Sequence, residues 1–177
     1  MQAPTFAPGH LALVTSLVSS SYFNFANIGG AFFGVMPATA RENTTLPVAE
    51  RLKLWYFSYE THMASSGIIS ALALSASAYY TAERSLRNVL AAGAVAAYTS
   101  AAFTILFLLP VNADLINILR STSSRQMEPK EEQRALDQLD KWRALHRFRL
   151  FLGTIPWLAS TTALLLSDSI IRFISSA

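Results

Sequence analysis

The sequence contains no cysteine. That absence removes disulfides, thiol redox catalysis and cysteine metal sites, and with them the thiol-based quinone reductases of similar size. Charge is scarce too. Only 14% of the residues are charged, against roughly 25% in a soluble domain. Residues 1–40 carry no Asp, Glu, Lys or Arg, and neither do 61–82, 88–113 or 150–167. There is no internal repeat, no phosphate-cradling glycine loop and no tight metal-ligand spacing such as HxxxH or ExxH. The first apolar run lacks a basic n-region and exceeds the 7–15 residues of a typical signal-peptide h-region, so it reads as a retained segment.

What is present is apolar and periodically interrupted. Charge-free runs of about 18 residues or more read as membrane spans. Four of them in 177 residues predict an all-α integral membrane protein: one domain, 1–177, built as a four-helix bundle in the lipid bilayer. The spans fall at about 11–36, 61–80, 89–109 and 148–167, with Pro and Gly at their ends, Pro110 ending the third. The second is rich in Ala and Ser, which let helices approach closely in lipid. Cations set the orientation. Loop 37–60 carries Arg41, Arg51 and Lys53, and loop 110–147 carries seven Lys or Arg, whereas the other side has Arg84, Arg87 and Arg172. The positive-inside rule places both loops in the cytosol and both termini on the far side. Acidic residues interrupt the basic stretches, so the net charge of +3 is a topology signal and no nucleic-acid footprint. The glycosylation pattern Asn43-Thr44-Thr45 goes unused in a cytosolic loop.

The densest chemistry is "LDKWRALHRFRL", residues 139–150, directly before the fourth span. Pro129, early acids and late cations predict a helix that runs unbroken into that span as an amphipathic interfacial segment. At roughly 100° per residue, Leu139, Trp142, Leu145, His146 and Arg149 share one arc. Asp140, Arg143 and Arg147 fall on the other, solvated side. Trp and Arg serve as interface anchors, but an ionisable group such as His146 on an inner face at membrane depth is a functional candidate. Asn112 follows Pro110. Asn24 and Asn27 share a face of the first span at i, i+3 spacing, where interhelical hydrogen bonding is the competing role. Trp55, Tyr59, His62 and Ser66 line one side of the helix entering the second span. A metal held by His62 and His146 with Glu60 or Asp114 stays open.

"PVNADL" followed by "LDKWRALHRFR" resembles the Pro-x-Asn-x-x-Leu and Leu-x-x-Trp-x-x-x-His-x-x-Arg signature of the anthrone-oxygenase-like membrane proteins. The matching positions are Pro110, Asn112, Leu115, Leu139, Trp142, His146 and Arg149. "GGAFFGVMPA" is similar to the family's small-residue first span. The resemblance implies a four-helix membrane enzyme of secondary metabolism that oxidises anthrones to anthraquinones. Molecular oxygen is the co-substrate, with no recognised organic cofactor or metal. In that frame His146 is the general base and Arg149 and Asn112 hold the developing oxyanion, with Trp142, Asn24, Asn27, Tyr59 and His62 around a flat aromatic polyketide. An endomembrane location and a homo-oligomer fit the same picture. A small-molecule transporter and a non-catalytic assembly subunit remain as alternatives, distinguished by transport without chemistry or by loss of a partner complex without turnover.

Overall fold

A computed structural model describes residues 8–42, 45–60, 63–122 and 126–167. Among these residues the chain is helical, with no strand: α1 (Pro8–Phe32), α2 (Val35–Thr39), α3 (Val48–Glu60), α4 (Met63–Tyr80), α5 (Arg84–Phe103), a π-helical turn (Thr104–Leu108), α6 (Leu109–Thr122) and α7 (Pro129–Leu165). Two continuous helices, Arg84–Thr122 and Pro129–Leu165, are long and apolar enough to cross a membrane.

The chain groups into two compact units. Of the described residues, one comprises those within 8–24, 63–101 and 151–167, and the other those within 25–60 and 102–150. The first unit is closely packed on small residues. A Cβ on Gly93 would lie 2.6 Å from the Ala159 Cβ, and one on Gly153 would lie 2.7 Å from the Phe23 ring. Leu13, Leu74, Ala78, Leu90, Ala94, Ala159 and Ala163 make its apolar core. The Ser70 hydroxyl has no partner among the described residues, but other buried serines bond to carbonyls one turn back, as Ser19 does to Thr15 (2.6 Å) and Ser77 to Ala73 (2.8 Å). Ser16 and Ser160 also meet each other at 3.1 Å. The helix ladder itself thus satisfies these hydroxyls, so a polar interior costs little here.

The second unit holds the larger core: Met36, Val48, Leu52, Trp55, Leu108, Val111, Leu115, Ile118, Ala135, Leu139 and Trp142. Here the structure adds helix to the connections expected at 37–60 and 110–147, beyond the helix already expected from Pro129 and the one entering the second span. Both stretches are mostly helix. Val48, Leu52 and Trp55 on α3, and Val111, Leu115 and Ile118 on α6, recur at helical spacing and bury one stripe each.

Two boundaries also differ. The first span, expected to reach Met36, ends at Phe32. At Gly34 the backbone packs so closely that a Cβ would sit 3.2 Å from the Gly30 Cα and 3.3 Å from the Gly29 carbonyl oxygen. Pro37 then lies in the first turn of α2, where its missing N–H has no intrahelical role. Pro110 ends nothing. An interior proline clashes with the carbonyl four residues back. The chain meets it with a π-helical turn immediately upstream, in which the Leu109 N–H reaches the Thr104 carbonyl. The extra residue widens the helix ahead of the ring, and α6 continues. Helix α7 runs through Pro156 without a break, as the continuous interfacial-to-apolar helix requires.

Candidate functional site

The stripe Ala135, Leu139, Trp142 and His146 is the buried face of α7 in the second unit. Spacings of four, three and four residues keep it on one side of the helix. His146 is 4% exposed. The Trp142 ring lies against its imidazole, with centroids 4.9 Å apart and planes 31° apart. Trp55 meets the other ring system of this stack edge-on, 6.4 Å from Trp142 at 85°. Tyr59 stacks on Trp55 at 5.6 Å and 19°. The row Tyr59–Trp55–Trp142–His146 is therefore a continuous, mostly buried aromatic stack ending at an imidazole.

One turn on, partly buried Arg149 completes the arrangement. Its Nη2 donates to the Asn27 Oδ1 at 2.7 Å and lies 3.1 Å from the His146 Nδ1. A guanidinium has donors only, so Nδ1 must accept. The imidazole is then the neutral tautomer with its proton on Nε2. One nitrogen of Arg149 thus bridges an amide oxygen of α1 and a ring nitrogen of α7, with both acceptors buried.

Asn112 and Trp55 add two polar atoms. Asn112 lies on α6 four residues after Leu108 and three before Leu115, on the face that enters the core. Its Oδ1 and the Trp55 Nε1 are buried and have no hydrogen-bond partner among the described residues. An unmet buried polar group costs about 1–3 kcal/mol, so these two atoms are candidate ligand contacts.

The structure therefore brings together Asn27, Tyr59, Asn112, Trp142, His146 and Arg149 in one unit. Asn24 belongs to the other unit, where its Oδ1 accepts from the Thr154 hydroxyl at 3.1 Å. His62 lies outside the described residues, as does Asn43 of the glycosylation pattern. Asp114 is held by Gln138 at 3.4 Å and Arg134 at 4.0 Å.

Two cations read as solvated differ. Arg143 keeps only 12% of its side chain exposed and pairs with Asp140 and Glu42. It sits one turn beyond Leu139, at the edge of the buried stripe. Arg51, counted as a topology charge, is buried. It donates to the Leu46 carbonyl at 2.7 Å and the Ala40 carbonyl at 3.4 Å, bracing the chain between α2 and α3. At the surface, Arg41 pairs with Asp137 at 2.7 Å and Asp140 at 3.1 Å. The two carboxylates, with the Asp137 hydrogen bond foremost, raise its pKa.

No curated protein and no solved structure matches the chain. The model of the anthrone oxygenase family matches residues 55–166, a stretch that begins at the buried Trp55 and contains Asn112, Trp142, His146 and Arg149. Because that match covers more than half of the sequence, the chain belongs to the anthrone oxygenase family.

Proposed function

We propose that the protein is a cofactor-independent oxygenase that converts an anthrone-like polycyclic aromatic polyketide into its quinone with molecular oxygen. One observation carries the reading: a neutral, buried imidazole whose basic nitrogen is capped by a guanidinium, at the end of an aromatic row.

The chemistry asks for little more. The C10–H of an anthrone is flanked by two rings and conjugated to the C9 carbonyl, so its removal leaves a delocalised phenolate-like anion. At rest neither nitrogen of His146 accepts a proton, since Nδ1 is bonded to Arg149 and Nε2 carries hydrogen. A substrate oxygen that draws the guanidinium away frees the Nδ1 lone pair and stabilises the charge that develops on that oxygen. His146 then takes the C10 proton. The anion passes one electron to O2, and the resulting radical and superoxide recombine at C10 as a peroxide anion, which takes the proton back from His146 to give the hydroperoxide. Loss of the second C10 proton breaks the O–O bond, forms the carbonyl and releases water. One O2 is consumed and one water formed per quinone. Asn112 Oδ1 and Trp55 Nε1–H suit the hydroxyl and carbonyl groups of a polyphenolic ring system, and the aromatic row suits its flat faces.

The membrane setting belongs to the same proposal, with α1, α4, α5–α6 and the apolar half of α7 as four spans. On α1, Leu11, Val14, Val18, Tyr22 and Phe25 are exposed, while Ser16, Ser19, Ser20, Asn24 and Asn27 are buried. Water would invert that pattern; lipid favours it. Because the chain has no cysteine, single introduced cysteines report topology. Lys130→Cys should react rapidly with an impermeant maleimide and Val18→Cys should not. Equal rates would remove α1 from the bilayer, and a glycan on Asn43 would reverse the orientation.

The activity test is oxygen uptake by purified, chelator-treated protein given emodin anthrone. The expected result is one O2 per quinone, well above the spontaneous rate. Uptake that returns only on adding a metal would overturn the cofactor-independent reading. No uptake, together with transport of the anthrone or loss of a partner complex in the deletion strain, would favour the non-oxygenase alternatives.

A further inference from the structure

The family match begins at residue 55, and α1 lies outside it. Yet Asn27 of α1 provides the shorter of the two bonds to the Arg149 Nη2, 2.7 Å against 3.1 Å to His146. Asn27 is 1% exposed, and its partner lies 122 residues away in sequence. A single nitrogen with two hydrogens meets two acceptors, so fixing one bond fixes where the other points. A long arginine side chain has many rotamers and rests at one position only when something holds it. The Asn27 amide oxygen holds the cation without neutralising it.

We infer that Asn27 is a positioning residue: it parks Arg149 against Nδ1 of His146 and thereby sets the imidazole tautomer and the place where the substrate oxygen meets the cation. The inference rests on the reaction proposed above only for its effect on turnover. Its structural content stands apart from that reaction.

The test uses full-length protein in lipid nanodiscs with ¹⁵N-histidine labelling. The chain has three histidines, so His146→Gln assigns the signal of interest. Wild type should show an unprotonated, hydrogen-bonded Nδ1 and a protonated Nε2 on His146. Asn27→Leu, close in size but without an acceptor, should release Arg149 and give a mixture of the two tautomers. Asn27→Asp keeps an acceptor, serves as the folding control and should retain the wild-type tautomer.

In oxygen uptake, Asn27→Leu should lose about 10- to 100-fold in kcat/KM, the equivalent of one charge-assisted hydrogen bond. An unchanged His146 tautomer in Asn27→Leu overturns the inference, whether or not activity falls, because a helix-packing role alone would leave the ring nitrogens as they were. A tautomer that follows Asn27 in a protein that oxidises no anthrone supports the positioning role and rejects the assigned reaction instead.

Discussion

Replacing His146 with alanine separates the base from everything else the site does. A positioned general base contributes about 10²–10⁴ in rate, or roughly 2.7–5.4 kcal/mol at about 1.36 kcal/mol per tenfold. The structure adds two side effects. The variant loses the 4.9 Å ring contact with Trp142, worth about 0.5–1.5 kcal/mol of stability. It also takes from Arg149 the Nδ1 acceptor, while Asn27 keeps its bond to the same nitrogen. Both effects act on the folded ground state and leave the helix and the charge count of the chain intact, so insertion should persist. Normalised to folded protein, turnover should fall by about 10²–10⁴.

Two controls make that loss specific. Free imidazole should restore part of the rate in proportion to its unprotonated fraction, since it supplies the missing base to the space the side chain left. With C10-dideuterated anthrone, both wild type and rescued variant should be slowed, because the same C–H bond breaks. Wild-type turnover in folded His146→Ala protein would refute the assignment. A loss without rescue and without a C10 isotope effect would show that His146 supports the site and that the proton leaves by another route.

Arg149→Lys should lower kcat/KM by about 10- to 100-fold, because an ammonium cannot reproduce the guanidinium geometry at Asn27 and His146 together and one charge-assisted hydrogen bond is worth about 1.5–3 kcal/mol; unchanged kinetics would remove the cation from the mechanism. Gly93→Ala should destabilise the first unit by about 1–3 kcal/mol, since the new Cβ would stand 2.6 Å from the Ala159 Cβ, which is fixed to backbone; an unchanged melting temperature would mean that α5 and α7 separate freely there. Glu83 accepts from the Ser85 hydroxyl and from the backbone N–H groups of Leu86 and Ser85, and these bonds hold its carboxyl below the usual carboxylate range. Its contribution is therefore present above the unfolded carboxylate pKa and is lost as pH falls through the lower folded value. Glu83→Ala should melt below wild type at pH 7 and alongside it once the carboxyl is protonated, and a constant difference across that range would count against the cap.

The sequence shows where helices exist better than where they stop. Runs without charge located α1, α4, α5 and the end of α7, since lipid tolerates few charges and a helix satisfies its own backbone. The arc of Leu139, Trp142 and His146 was readable because helical period alone decides which side chains share a face, and all three are buried. Helices α2, α3 and α6 were hidden for the opposite reason. Their charges made 37–60 and 110–147 read as connections outside the helix expected from Pro129 and the one entering the second span, although Val48 and Leu52 already kept a helical stripe with Trp55. The proline rule failed at Pro110 because its cost is local, and one π-helical turn removes it. Arg143 was misplaced by a small angle: a residue at the margin of a stripe is solvated or packed depending on what lies opposite, here Glu42.

The pairing that matters most for the site leaves no local trace. Asn27 reads from the sequence as an interior polar residue of a span, fit for helix packing or for substrate. Arg149 reads as an interface anchor or as an inward-facing cation for a developing oxyanion. Nothing in either segment says that they meet, because the contact depends on the tertiary path that brings residues 122 apart together. The meeting changes what His146 is. Seen alone, it is a candidate base by residue type only. Bonded to Arg149, the base proposed here is closed at rest, with one nitrogen occupied and the other protonated. A buried site next to oxygen has reason to be built this way. If the imidazole were permanently open, it would compete for any acidic C–H that enters. One released by the substrate's own oxygen acts only when a carbonyl stands ready to take the charge. On this argument selectivity and activation are one event, and the residue that tunes it lies on the helix outside the family match.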